Sequence, residues 1–112
     1  MTIEDVRRVA EPLPRSTEVL VRDRVTFRVG RVVWLAFSAD ETQFGFAFPR
    51  EERDVLVTSE PAVFLLPRPS DLRFNWVEAR LDALEPERMR EIVVDAWRFV
   101  VPRTVALAPG SP

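Results

Sequence analysis

Every basic side chain in this sequence is an arginine: sixteen of them stand against eighteen carboxylates, with no histidine, lysine, cysteine or tyrosine. That inventory limits the chemistry. Without histidine there is no side chain that ordinarily titrates near neutrality, and without lysine there is no Schiff base. Without cysteine there is neither a thiolate nucleophile nor a cysteine-held zinc or iron–sulfur site, so we expect no metal and no cofactor. Carboxylates, hydroxyls and guanidinium groups remain. The close carboxylate pairs, Glu51–Glu52 and Glu85 with Glu87, fall where helix starts favour acids, and Asp40–Glu41 falls at a turn. Three glycines, at 30, 45 and 110, cannot build a phosphate-cradling loop. We expect no catalytic residues and a protein that works by binding.

Arginine donates in pairs to phosphate and stacks on flat rings, and tryptophan offers a stacking surface. Five arginines (15, 22, 24, 28, 31) lie between Arg15 and Arg31 against Glu18 and Asp23, a local balance of +3. Five acids (82, 85, 87, 91, 95) lie between Asp82 and Asp95 against Arg88 and Arg90, a balance of −3. The whole chain carries −2, which predicts solubility and no global pull toward polyanions. The candidate contact face is therefore local: Arg24, Arg28, Arg31, Trp76 and Arg80.

Those residues need a sheet to carry them. Val25, Phe27 and Val29 alternate with Thr26 and Arg28, and Phe44, Phe46 and Phe48 alternate with Gly45 and Ala47. A period of two places one set inward and the other outward. Val32–Phe37 between them is almost wholly apolar and predicts a central strand covered on both faces, with Gly30 and Ser38–Thr42 as the reversals. Val19–Val21 predicts a short edge strand, Ala62–Leu66 a brief extended piece, and Trp76–Leu84 a further strand with Trp76, Glu78 and Arg80 on its polar face. Trp76 there either lies beneath the irregular Pro67–Phe74 stretch or lines a cleft.

Helices flank the sheet. Thr2 with Asp5 resembles a capping box, and Ile3, Val6 and Val9 form a stripe that Pro12 and Pro14 end. Pro49 should open a short helix docked by Val55 and Leu56. Glu85–Val101 is the strongest helix, with Met89, Ile92, Val93, Ala96 and Trp97 in phase. The expectation is an α+β fold of two layers: an antiparallel meander with added strands, packed against N- and C-terminal helices. Residues 1–103 form one domain and 104–112 a flexible tail. The acidic start without an apolar run predicts a cytoplasmic protein, and no window is long enough to span a membrane.

Several strings, in this order, resemble the MmcQ/YjbR family: Met1–Ala10, Thr26-Phe27-Arg28-Val29-Gly30, Pro49-Arg50-Glu51-Glu52, Trp76–Leu81 and Asp95-Ala96-Trp97-Arg98. The resemblance runs over about residues 1–103. It implies a CyaY-like fold and a DNA-binding role, and it brings no catalytic residues. Two departures stand out. The family's Gly-Gly-Lys reads Gly30-Arg31 here, and Phe46-Ala47-Phe48 replaces a stretch that usually holds a lysine. Anion binding would then rest on Arg28 and Arg31. The alternative role is a protein-interaction or self-association module, a homodimer included, that binds no nucleic acid.

Overall fold

A computed structural model describes residues 1–106 of the chain. Among the described residues the elements run α1 (Ile3–Ala10), β1 (Ser16–Val21), β2 (Arg24–Val29), β3 (Val32–Phe37), β4 (Gln43–Ala47), α2 (Arg50–Ser59), β5 (Phe64–Leu65), β6 (Trp76–Arg80), α3 (Pro86–Val100) and α4 (Arg103–Ala106). The strands form one antiparallel sheet in the order β1-β2-β3-β4-β6-β5. This is the α+β architecture the alternation predicts. None of these helices is long and apolar enough to cross a membrane. The tail expected at 104–112 lies, beyond Ala106, outside the described residues.

Register explains the core. Phe27 pairs with Leu35, Leu35 with Phe46 and Phe46 with Val77, an unbroken apolar row across four strands. A second row joins Phe37, Phe44, Ala79 and Phe64. All eight are buried, and each large one contributes about 1.5–3 kcal/mol relative to an exposed position. Helix α3 lies across β3 and β4 on this side, with α1 beside it. The Trp97 indole N–H donates to the Pro14 carbonyl at 2.8 Å, tying α3 to the α1–β1 connection. At the other end of α3, Arg88 forks onto Glu60 at 2.7 and 3.1 Å, which holds that carboxyl below the usual glutamate range. Asp5 accepts from the Thr2 backbone N–H at 2.8 Å, so the expected N-terminal cap forms through the acid.

The hairpins show why the strands meet as they do. Arg22 and Asp23 join β1 to β2 with φ of 53° and 66°, the primed-turn geometry that matches strand twist. Gly30, at φ 60°, opens the next turn. Asp40 organises the third reversal, accepting from Ser38 Oγ at 2.7 Å and from Thr42 Oγ1 at 2.8 Å.

Three expectations need correction. β3 is not covered on both faces: Val32 and Val33 are 51% and 40% exposed. The pairing slips between Phe27 and Arg28, leaving Trp34 as the extra residue of a β-bulge. Its ring turns into the core, 6.1 Å from Phe27, and Val33 is left on the side opposite α3. Helix α2 starts at Arg50, one residue after Pro49, and Val55 does not dock, being 69% exposed. The residue α2 buries is Arg53, and that choice sets the phase of the helix. The edge strand β1 is also longer than its three apolar residues implied.

Candidate functional site

On the open side of the sheet the register aligns small residues. Glu78 pairs with Gly45, Gly45 with Ala36 and Ala36 with Thr26. A row of glycine, alanine and threonine across three strands makes a trough where larger side chains would make a ridge. Trp76, two residues before Glu78 on the same face, reaches over Gly45. A Cβ on Gly45 would lie 2.2 Å from the Trp76 Nε1, so only glycine admits the indole there. The resulting cleft has a volume of about 650 Å³. Arg24 and Val33 line one side, Phe74 and Trp76 another, and the last turn of α3 adds Phe99.

The Pro67–Phe74 stretch forms the remaining wall, and α2 holds it in place. The Arg53 guanidinium, buried, donates to the carbonyls of Leu72, Phe74 and Trp76 at 2.8, 3.1 and 3.0 Å. Arg50 adds a bond from its side chain to the Arg73 carbonyl at 2.6 Å, and its backbone N–H donates to Asn75 Oδ1 at 3.1 Å. Arg68 and Asp71, 3.7 Å apart, then project to the cleft.

Charge in the cleft is balanced but unequal in its commitments. Ser38 Oγ donates to Asp40 and accepts from the Gln43 N–H, so it is already engaged. Asp71 has Arg68. The Glu78 side chain makes no hydrogen bond or contact ion pair among the described residues. Burial pushes its carboxyl above the ordinary glutamate value; Arg68 and Arg24 pull it back, and Asp71 adds to the rise. A raised folded-state value means that the ionised form costs stability above it, and that the cost disappears at acid pH where both states are protonated. Glu78→Gln should therefore stabilise the fold at pH 7 by about 0.5 kcal/mol, discounted for the solvent on its open side. Denaturant titrations of both proteins should show that gain vanishing below the unfolded glutamate value near 4.5.

The five residues singled out from the sequence fall into three positions. Arg24 and Trp76 line the cleft. Arg28, opposite Val33 in register, and Arg31, next to Val32, are exposed at its margin. Arg80 is turned elsewhere: it donates to the carbonyls of Pro61 and Ala62 at 3.2 and 3.1 Å and braces the α2–β5 turn. Sequence reasoning missed Glu78 as a site residue, along with Arg68, Phe74 and Phe99. The signal for Glu78 was present, since Thr26, Ala36, Gly45 and Ala47 are small residues at outward positions of otherwise bulky strands. Arg53 gave no such signal, because an arginine early in a helix reads as a solvated residue.

Comparison with known proteins agrees with this architecture. A crystal structure of Deinococcus radiodurans protein DR2400, a DUF419 domain, superposes with a TM-score of 0.77 at 20% identity, covering 99% of this chain and 89% of that one. At that identity the likeness establishes the fold alone. No curated protein matches. The YjbR family model, however, matches residues 12–99, a span that holds the whole sheet and nearly all of α3, and so the chain belongs to the YjbR family.

Proposed function

We propose that this domain binds single-stranded nucleic acid on the open face of its sheet and catalyses no reaction. The observation that carries the reading is the state of the arginines. Arg7, Arg50, Arg53, Arg68, Arg80 and Arg88 are committed to carboxylates or carbonyls. The guanidinium groups of Arg24, Arg28 and Arg31 make no hydrogen bond or contact ion pair among the described residues; Arg24 lines the cleft together with the half-buried Trp76 and the exposed Phe74, and Arg28 and Arg31 stand exposed at its margin. Uncommitted guanidinium groups next to exposed aromatic rings are what a flexible, unpaired strand requires: cations for the phosphates and π-faces for the bases. The net charge of −2 makes the attraction a property of this face alone. Binding without catalysis is supported by the engagement of the cleft's polar groups in structural roles: Ser38 closes the Asp40 turn with Thr42, and Asp71 lies against Arg68.

A labelled single strand titrated at several salt concentrations tests the reading by anisotropy. Affinity should fall as salt rises, and changing Arg24, Arg28 and Arg31 together to alanine should reduce the log–log slope by about 2, at roughly 0.7 per lost phosphate contact. Absence of any salt-sensitive shift at micromolar protein would overturn it. One feature favours a second reading, as a protein-interaction or self-association module: Val32, Val33, Phe74 and Phe99 form an exposed apolar margin to the cleft. In that case size-exclusion chromatography should show a dimer or a stable complex, with affinity insensitive to salt.

A further inference from the structure

Phosphate binding leaves Glu78 without work. A surface that handled only phosphates would gain nothing from an uncommitted carboxylate in the lining of its cleft. Yet Glu78 lies there unpaired, directly across from Gly45, with the Trp76 indole two residues away on the same face. The geometry points to a base pocket, which rests on the nucleic-acid reading: one unstacked nucleobase lies against the Trp76 indole above Gly45, and the Glu78 carboxylate accepts hydrogen bonds from its donor edge, which selects guanine.

The physical case has three steps. The cleft, about 650 Å³, falls within the ~300–1,000 Å³ usual for small-ligand sites and is open to the face that carries the arginines. Its walls supply flat apolar surface from Trp76 and Phe74, which stacks on any base and distinguishes none. Discrimination must come from the polar groups of the lining, among which Ser38, Asp71 and Asn75 are engaged and the Glu78 carboxyl is not, and an ionised carboxylate can only accept. Guanine presents two adjacent donors, its ring N1–H and the 2-amino group, which match the two carboxylate oxygens. Cytosine offers a single amino group, and thymine places a carbonyl on either side of its one ring N–H, so two of its three edge groups repel the carboxylate. Arg24, whose guanidinium is uncommitted, stands beside the pocket, where a phosphate flanking a bound nucleotide would lie.

The test uses the full chain and short single strands of thymidine, one of them carrying a central guanine and another a central cytosine. The guanine strand should bind at least about fivefold tighter than the all-thymidine strand, the lower end of what one bidentate base contact supplies, with cytosine between them. Glu78→Gln should erase the preference. Arg28→Ala should weaken the guanine and thymidine strands by the same factor, because a phosphate contact carries no base information. Equal affinity of the unaltered protein for all three strands would overturn the base pocket and leave nucleic-acid binding standing. A preference that survives Glu78→Gln would likewise overturn the assignment to this carboxyl. No binding to any strand would remove both the pocket and the function on which it rests.

Discussion

Arg53→Met should lower stability by about 3–5 kcal/mol, a large part of the ~5–15 kcal/mol that holds a domain of this size. The side chain is 7% exposed, and its guanidinium satisfies three carbonyls of the 72–76 segment from a single group. Methionine keeps most of the stem's packing but donates nothing, so three acceptors lose their partner at once. Bonds from a charged donor are each worth about 1.5–3 kcal/mol, and partial rehydration of a loop recovers part of the loss. Lysine should rescue poorly. Its ammonium is a point donor, while the acceptors are spread over residues 72, 74 and 76 and suit a planar fork. Chemical denaturation of the three proteins measures this. Amide exchange adds a local readout: protection should fall first in β6 and in the loop ahead of it, because these are what Arg53 holds. If Arg53→Met left both stability and loop protection unchanged, the loop would not be anchored as described, and one wall of the cleft would go with it.

The core was legible in the sequence because it obeys a local rule. Val25, Phe27 and Val29 recur two apart among polar residues, as Phe44 and Phe46 do among small ones, and the register simply aligns their rows. Met89 to Trp97 keep the helical period and face the sheet. The bulge at Trp34 was not legible, since one extra residue in an apolar run leaves no compositional mark, and it alone decided that Val33 would face outward. The cleft was half legible. Trp76 on a polar face gave warning of it, as did Arg24. The partnership of Glu78 with Gly45, and the reach of Arg53 across some twenty residues, depend on which segments become neighbours. β4 pairs with β6 past β5, an order that no local pattern encodes. Arg80 shows the converse: its alternation placed it with Trp76 and Glu78, but the nearby turn carbonyls of Pro61 and Ala62 claim its guanidinium.

Gly45→Ala should cost about 1–3 kcal/mol, the usual penalty for forcing atoms into a filled site, although alanine is ordinarily the better strand residue. The reason is Trp76. The new methyl would meet the indole at 2.2, 2.5 and 2.6 Å from Nε1, Cε2 and Cζ2, and a fused ring cannot bend away as the tip of a long side chain can. The indole must swing off the sheet, which removes the stacking surface of the cleft, so single-strand affinity should fall in the same variant by an amount comparable to Trp76→Ala. A double-mutant cycle separates this from a backbone effect. In a Trp76→Ala background the space above Gly45 is empty, and Gly45→Ala should then be neutral or stabilising by about 0.5 kcal/mol, because glycine's extra freedom in the unfolded chain is no longer offset by a neighbour that needs the room. The sign of the substitution thus reverses with the state of one side chain. If Gly45→Ala costs the same in both backgrounds, the indole does not rest on Gly45, and the trough between β3 and β6 has a different occupant.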